Sequence, residues 1–89
     1  MTVAVNHDYP MADNLKVVNE TGDPIEGATI RIYGKLEFDQ GDVAGWIGET
    51  TTDINGQWVD PVHVADGETY VVHIQKETMY GPVHTEVTT

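Results

Sequence analysis

Residues 27–33, Gly-Ala-Thr-Ile-Arg-Ile-Tyr, put Ala28, Ile30 and Ile32 on one side of an extended chain and Thr29, Arg31 and Tyr33 on the other. Residues 69–76, Thr-Tyr-Val-Val-His-Ile-Gln-Lys, repeat the pattern, with Tyr70, Val72 and Ile74 inward and Val71, His73 and Gln75 outward. A period of two is the mark of a strand with one buried face, and it is incompatible with an amphipathic helix. No helical period of any length competes with it. The chain therefore has to bury its apolar surface between sheets.

Shorter segments extend the pattern. In residues 14–19, Leu15 and Val17 share one face, with Lys16 and Val18 on the other. Residues 46–53 and 57–64 are rich in Thr, Trp and Val, which favour strands, and Pro61 predicts an edge or a bend in the second. Residues 79–89 read as a last strand, with Val83 and Val87 on one face. Turn clusters at 20–24 and 65–68 separate these runs. Such spacing gives about seven short strands with turns roughly every 8–12 residues, the pattern of a β-sandwich or small barrel. Residues 1–13 carry no strong period and read as an N-terminal arm, leaving 14–89 as the sandwich domain. Val3 and Val5 alternate within the arm and suit a short strand added to a partner, ended by Pro10. Residues 34–45 read as a long acidic loop, either an ordinary crossover between the two sheets, which is the better supported reading, or a functional site.

With 89 residues and no cysteine, the chain is one domain with a modest core and no disulfide or thiolate metal site. Fifteen Asp and Glu against four Lys and Arg set the formal net charge at −11. That field repels phosphate backbones and anionic membranes and favours basic partners. The first residues contain neither a basic n-region nor an apolar h-region, so no secretory signal is predicted, and no apolar run is long enough to span a bilayer. The frame expected from these features is a single natural domain starting at Met1.

Residues 51–58, Thr-Thr-Asp-Ile-Asn-Gly-Gln-Trp, invite two readings. Asp53, Asn55 and Gly56 have the oxygen spacing with which calcium loops begin, but no bidentate Glu follows. As a hairpin, Asn55-Gly56 makes the tight bend, Asp53 accepts backbone N–H bonds, and Trp58 heads for the core. The hairpin is the better supported. Asp39 and Asp42 lack the spacing of a calcium loop. His63, His73 and His84 sit on three predicted strands, at no spacing diagnostic of zinc. Serine is absent, and no nucleophile is placed beside the His7–Asp8 pair, so no catalytic constellation is predicted. No cofactor is called for.

The stretch Gly22-Asp23-Pro24-Ile25-Glu26-Gly27-Ala28 between two strands, then Thr52-Asp53-Ile54-Asn55-Gly56-Gln57-Trp58, then Tyr70-Val71-Val72, resembles transthyretin-like β-sandwich domains. These include the carboxypeptidase regulatory-like domains and the Cna protein B-type modules. The likeness spans residues 14–76 and implies an immunoglobulin-like (transthyretin-like) antiparallel sandwich. Some Cna-type modules form an internal isopeptide bond, and Lys16 occupies the place of their lysine. The last strand has no Asn or Asp to receive it, so the bond is not implied. Hydroxyisourate hydrolases of the transthyretin group end in Tyr-Arg-Gly-Ser, whereas this chain ends Val87-Thr88-Thr89, so their activity is not implied either.

Lone domains of this type resemble the capsid-decoration and tail-accessory proteins of bacteriophage virions. The resemblance implies a non-enzymatic virion protein, assembled in the host cytoplasm and docked on a capsid or other virion protein, with itself as a further partner. Val3, Val5, His7 and Tyr9 of the arm, with Phe38, Asp39, Asp42 and Trp46 in or beside the acidic loop, are the candidate contact residues. The alternative is an adhesive or carbohydrate-binding module using exposed aromatics such as Trp46, Tyr33 or Tyr80.

Overall fold

A computed structural model describes residues 1–9, 15–41, 45–76 and 80–89, without the side chain of Tyr80. In chain order the elements are β1 (Thr2–Val5), β2 (Thr29–Gly34), α1 (Lys35–Asp39), β3 (Gly48–Thr51), β4 (Val62–Ala65), β5 (Thr69–Lys76) and β6 (Tyr80–Thr88). The strands form two antiparallel sheets, one of order β1-β4 and one of order β3-β2-β5-β6. The protein is thus all-β and sandwich-like. Among the described residues, no helix is long and apolar enough to cross a membrane.

Register turns the alternation into a core. Ile30 lies opposite Ile74, Ile32 opposite Val72, and Tyr70 opposite Val87. All six are buried, and they join Val5, Leu15, Val17, Trp58, Val62 and Val64 in one cluster between the sheets. A one-residue slip would turn the apolar set of a strand outward, so burial fixes the register.

The N-terminal segment departs from its reading as an arm. Thr2–Val5 pairs within the chain, Val3 opposite Val64 and Val5 opposite Val62. The Asp66 N–H donates to the Met1 carbonyl at 3.0 Å and closes the ladder. Val5 is 0% exposed, and Val3 packs against the core. A sandwich boundary at residue 14 is corrected accordingly: the domain takes in β1, because an arm would leave that apolar stripe wet. Residues 10–13, including Pro10, lie outside the described residues.

The segment around Leu15 also differs from a regular strand. Leu15 and Val17 are buried as their alternation predicts, but the only ladder contact described there is the isolated bridge Val18–Pro24. The segment is held instead by turns. Val17 N–H donates to the Gly56 carbonyl at 2.9 Å, and the Trp58 indole N–H donates to the Leu15 carbonyl at 2.9 Å. Pro61, which has no N–H to give a ladder, immediately precedes β4.

The hairpin reading of residues 51–58 holds in detail. The Asp53 carboxylate accepts the N–H groups of Asn55 and Gln57 at 2.8 and 3.1 Å. Gly56 has φ 72°, and a Cβ there would come within 2.4 Å of the Val17 carbonyl oxygen. Thr52, 3% exposed, clips this turn to the Gly27-Ala28 segment. Its hydroxyl accepts the Ala28 N–H at 2.9 Å and donates to the Ile25 carbonyl at 2.6 Å. Its backbone bonds both Gly27 and Ala28.

The expected acidic loop contains a short helix. Lys35 and Asp39 pair at 3.0 Å across one turn of α1, and Gly41 at φ 78° ends it. The helix packs on β2 and β5. Its Phe38 packs on Tyr33; Tyr33 and Val71 are buried, although alternation alone would leave both outside.

Candidate functional site

The outer face of the four-stranded sheet gathers the polar residues that alternation turns away from the core. Arg31 on β2 lies opposite His73 on β5, and His73 lies opposite His84 on β6. Gln75 follows His73 on the same face, two residues along. α1 closes one end of this row by laying Phe38 across the sheet.

Four rings meet there. Tyr33 and Phe38 pack edge to face with centroids 5.4 Å apart, and Phe38 meets His84 in the same manner at 4.8 Å. The His73 and His84 centroids are 4.7 Å apart, and Tyr33 stands edge-on to His73 at 6.2 Å. Two adjoining hollows open beside the rings, of about 270 and 520 Å³. Arg31, His73 and Gln75 line both, while Phe38, Pro82 and His84 wall the larger.

The polar atoms form a directed chain. His84 Nε2 lies 2.9 Å from His73 Nδ1, and His73 Nε2 lies 3.4 Å from the Gln75 side-chain oxygen. An amide oxygen accepts only, so this contact favours the His73 tautomer with its proton on Nε2 and the Nδ1 lone pair facing His84. Burial holds the His73 pKa below its ordinary value. The hydrogen bond to Gln75 opposes that shift, and the charges of His84 and Arg31 add to it. Arg31 donates from Nε to Glu49 at 2.6 Å and lies over the Trp46 ring at 5.4 Å. The bond to Glu49 raises the Arg31 pKa further, so the guanidinium stays charged.

Of the residues singled out from sequence, Phe38 belongs to this site and Trp46, 39% exposed, borders it. Asp39 is engaged with Lys35. Val3 and Val5 are sandwich residues, so their assignment as partner contacts gives way to core packing. His7 accepts the Trp58 N–H on Nδ1 at 3.3 Å, and its Nε2 lies 3.5 Å from Asp8. It therefore holds the chain after β1 against the hairpin. Tyr9 is exposed, and its carbonyl accepts the Asn6 N–H. Asp42 lies outside the described residues, as does the Tyr80 side chain. Of the three histidines, His73 and His84 meet, whereas His63 is exposed on β4 in the other sheet. Among the described residues, no three His, Asp or Glu are grouped to hold a metal ion.

The contacts missed from sequence are those of Arg31 and Gln75, and Tyr33, expected as an exposed aromatic, is instead buried against Phe38. Alternation places Arg31 and Gln75 outward, but only strand pairing shows that they share a site with His84. The arrangement offers aromatic surface, a charged guanidinium and two imidazoles on an open face. No protein-family model, curated protein or solved structure matches this chain.

Proposed function

We propose that the protein is a non-enzymatic structural and binding domain of transthyretin-like type, and that it docks on an assembled particle as a virion decoration or accessory protein. The observation that carries the binding surface is the ring cluster of Tyr33, Phe38, His73 and His84 on an open sheet face, bordered by half-exposed Trp46. With β1 committed to the sandwich, docking passes from the N-terminal segment to this face. Aromatic and Arg side chains at the centre of a contact supply most of its energy. The net charge of −11 steers the domain toward a basic partner surface. The Thr52 clip supports the finer fold assignment, because it ties together two of the motifs on which the transthyretin-like resemblance rests. Binding only to the assembled shell stabilises that shell by linkage.

Quantitative mass spectrometry of gradient-purified particles tests the setting: the chain should be present at a fixed ratio to the shell protein. Particles stripped of it should rebind the Phe38→Ala/Trp46→Ala variant at least about tenfold more weakly than the parent. Absence from particles, or undiminished rebinding, overturns the reading. The exposure of Trp46 favours one alternative, a carbohydrate-binding module, which a glycan array would reveal.

A further inference from the structure

We propose that His73 and His84 form a two-imidazole chelate for a divalent transition-metal ion of tetragonal preference, Cu²⁺ above Ni²⁺. The inference is independent of any particle. The two facing nitrogens come from adjacent strands and stand 2.9 Å apart. The observed 2.9 Å is a hydrogen bond, so the two lone pairs meet on one ion only after the His84 ring turns; Cu²⁺ stands above Ni²⁺ because imidazole donors follow that order among divalent first-row ions.

The protonation pattern is already half arranged. The Gln75 contact favours the His73 proton on Nε2, which turns the Nδ1 lone pair toward His84. Without metal, His84 donates from Nε2 to that lone pair. To bind, neutral His84 moves this proton to its Nδ1, and its Nε2 lone pair then joins Nδ1 of His73 on the ion. No net proton is released from the neutral pair. His84 is exposed, so its ring turns at the expense of its packing on Phe38 and its bond to His73, while the more buried His73 stays fixed by the cluster. The nearby cations are balanced: Arg31 by Glu49, and Lys35 by Asp39 and Glu86. The remaining coordination positions face the open side of the sheet, where water or a donor from another molecule completes them.

Titration of the purified chain with CuCl₂ and with NiCl₂, followed by calorimetry at pH 7.5, tests this. One Cu²⁺ should bind per chain, more tightly than Ni²⁺, and the paramagnetic resonance spectrum should show two imidazole nitrogens. His84→Ala should weaken Cu²⁺ binding at least about tenfold, and Gln75→Ala should weaken it to a lesser degree. His63→Ala and His7→Ala should leave it unchanged. A spectrum with one imidazole or none in the parent protein overturns the proposal whatever the variants do. Binding untouched by His84→Ala, or lost with His63 or His7, overturns it equally.

Discussion

Replacing Thr52 by Val keeps the side-chain shape and deletes one hydroxyl, and the consequence can be worked from its two hydrogen bonds and the methyl group that replaces it. The Ala28 N–H, fully buried, loses its 2.9 Å acceptor, which costs about 1–3 kcal/mol. The Ile25 carbonyl loses a 2.6 Å donor. It is only half-buried, so water limits that loss to about 1 kcal/mol. The new methyl group returns at most about 0.8 kcal/mol of burial, and it must retreat from the Ile25 oxygen to do so. The net destabilisation is about 1–3 kcal/mol. Urea unfolding followed by the fluorescence of buried Trp58 measures it. With a slope of about 1 kcal/mol/M for a domain of this size, the midpoint falls by about 1–3 M. Thr52→Ser keeps both hydrogen bonds and loses one methyl, so it should cost about 1 kcal/mol. A Val variant as stable as the parent, or more stable than the Ser variant, would refute the clip as a stabilising device.

Val5→Ala should destabilise by about 2 kcal/mol in the same assay, because it opens a cavity at a fully buried position; an unchanged midpoint would return residues 2–5 to the role of a free arm. Gly56→Ala should cost more than the ordinary left-handed penalty of about 1 kcal/mol, since its Cβ also meets the Val17 carbonyl; a melting point within a degree of the parent would contradict this. Acidification should weaken the fold through His73. Its folded pKa lies below the unfolded value of 6.5, so the unfolded chain takes up the proton first. Stability from this source is therefore unaffected above about pH 6.5 and falls as pH drops through the window below it. His73→Gln should flatten that part of the stability–pH curve, and an unchanged slope between parent and variant would count against a depressed pKa. At the other extreme, burial raises the Tyr70 pKa above 10, and the nearby Glu68 charge adds to the shift. Stability should thus decline as pH rises past 10, and Tyr70→Phe should remove that decline.

Some of this was legible along the chain because the physics involved is local. Ala28, Ile30 and Ile32 alternate with Thr29, Arg31 and Tyr33, and a strand has no other way to display them. Asp53, Asn55 and Gly56 form their turn from backbone sterics and a side chain within hydrogen-bonding reach. Trp58 as a core anchor follows from the same hairpin. Less local features were not legible. Val5 looked like an arm residue because four residues show a strand but not its partner. Helix α1 was hidden because five residues, three of them charged, carry too short a pattern to betray a period of 3.6. Tyr33 and Val71 are outward by alternation yet buried, Tyr33 beneath Phe38 of that helix.

The sequence by itself determined which face of each strand turns inward and where the tight turns fall, since both depend on neighbours a few residues away. Tertiary structure alone decided which strands lie side by side, and with that the site. His73 and His84 face each other because Val72 and Ile74 had to fill the core opposite Ile32 and Ile30, and because Val87 had to meet Tyr70. Packing the inner face chose the register, and the register placed the imidazoles, the guanidinium and the rings together on the outer one.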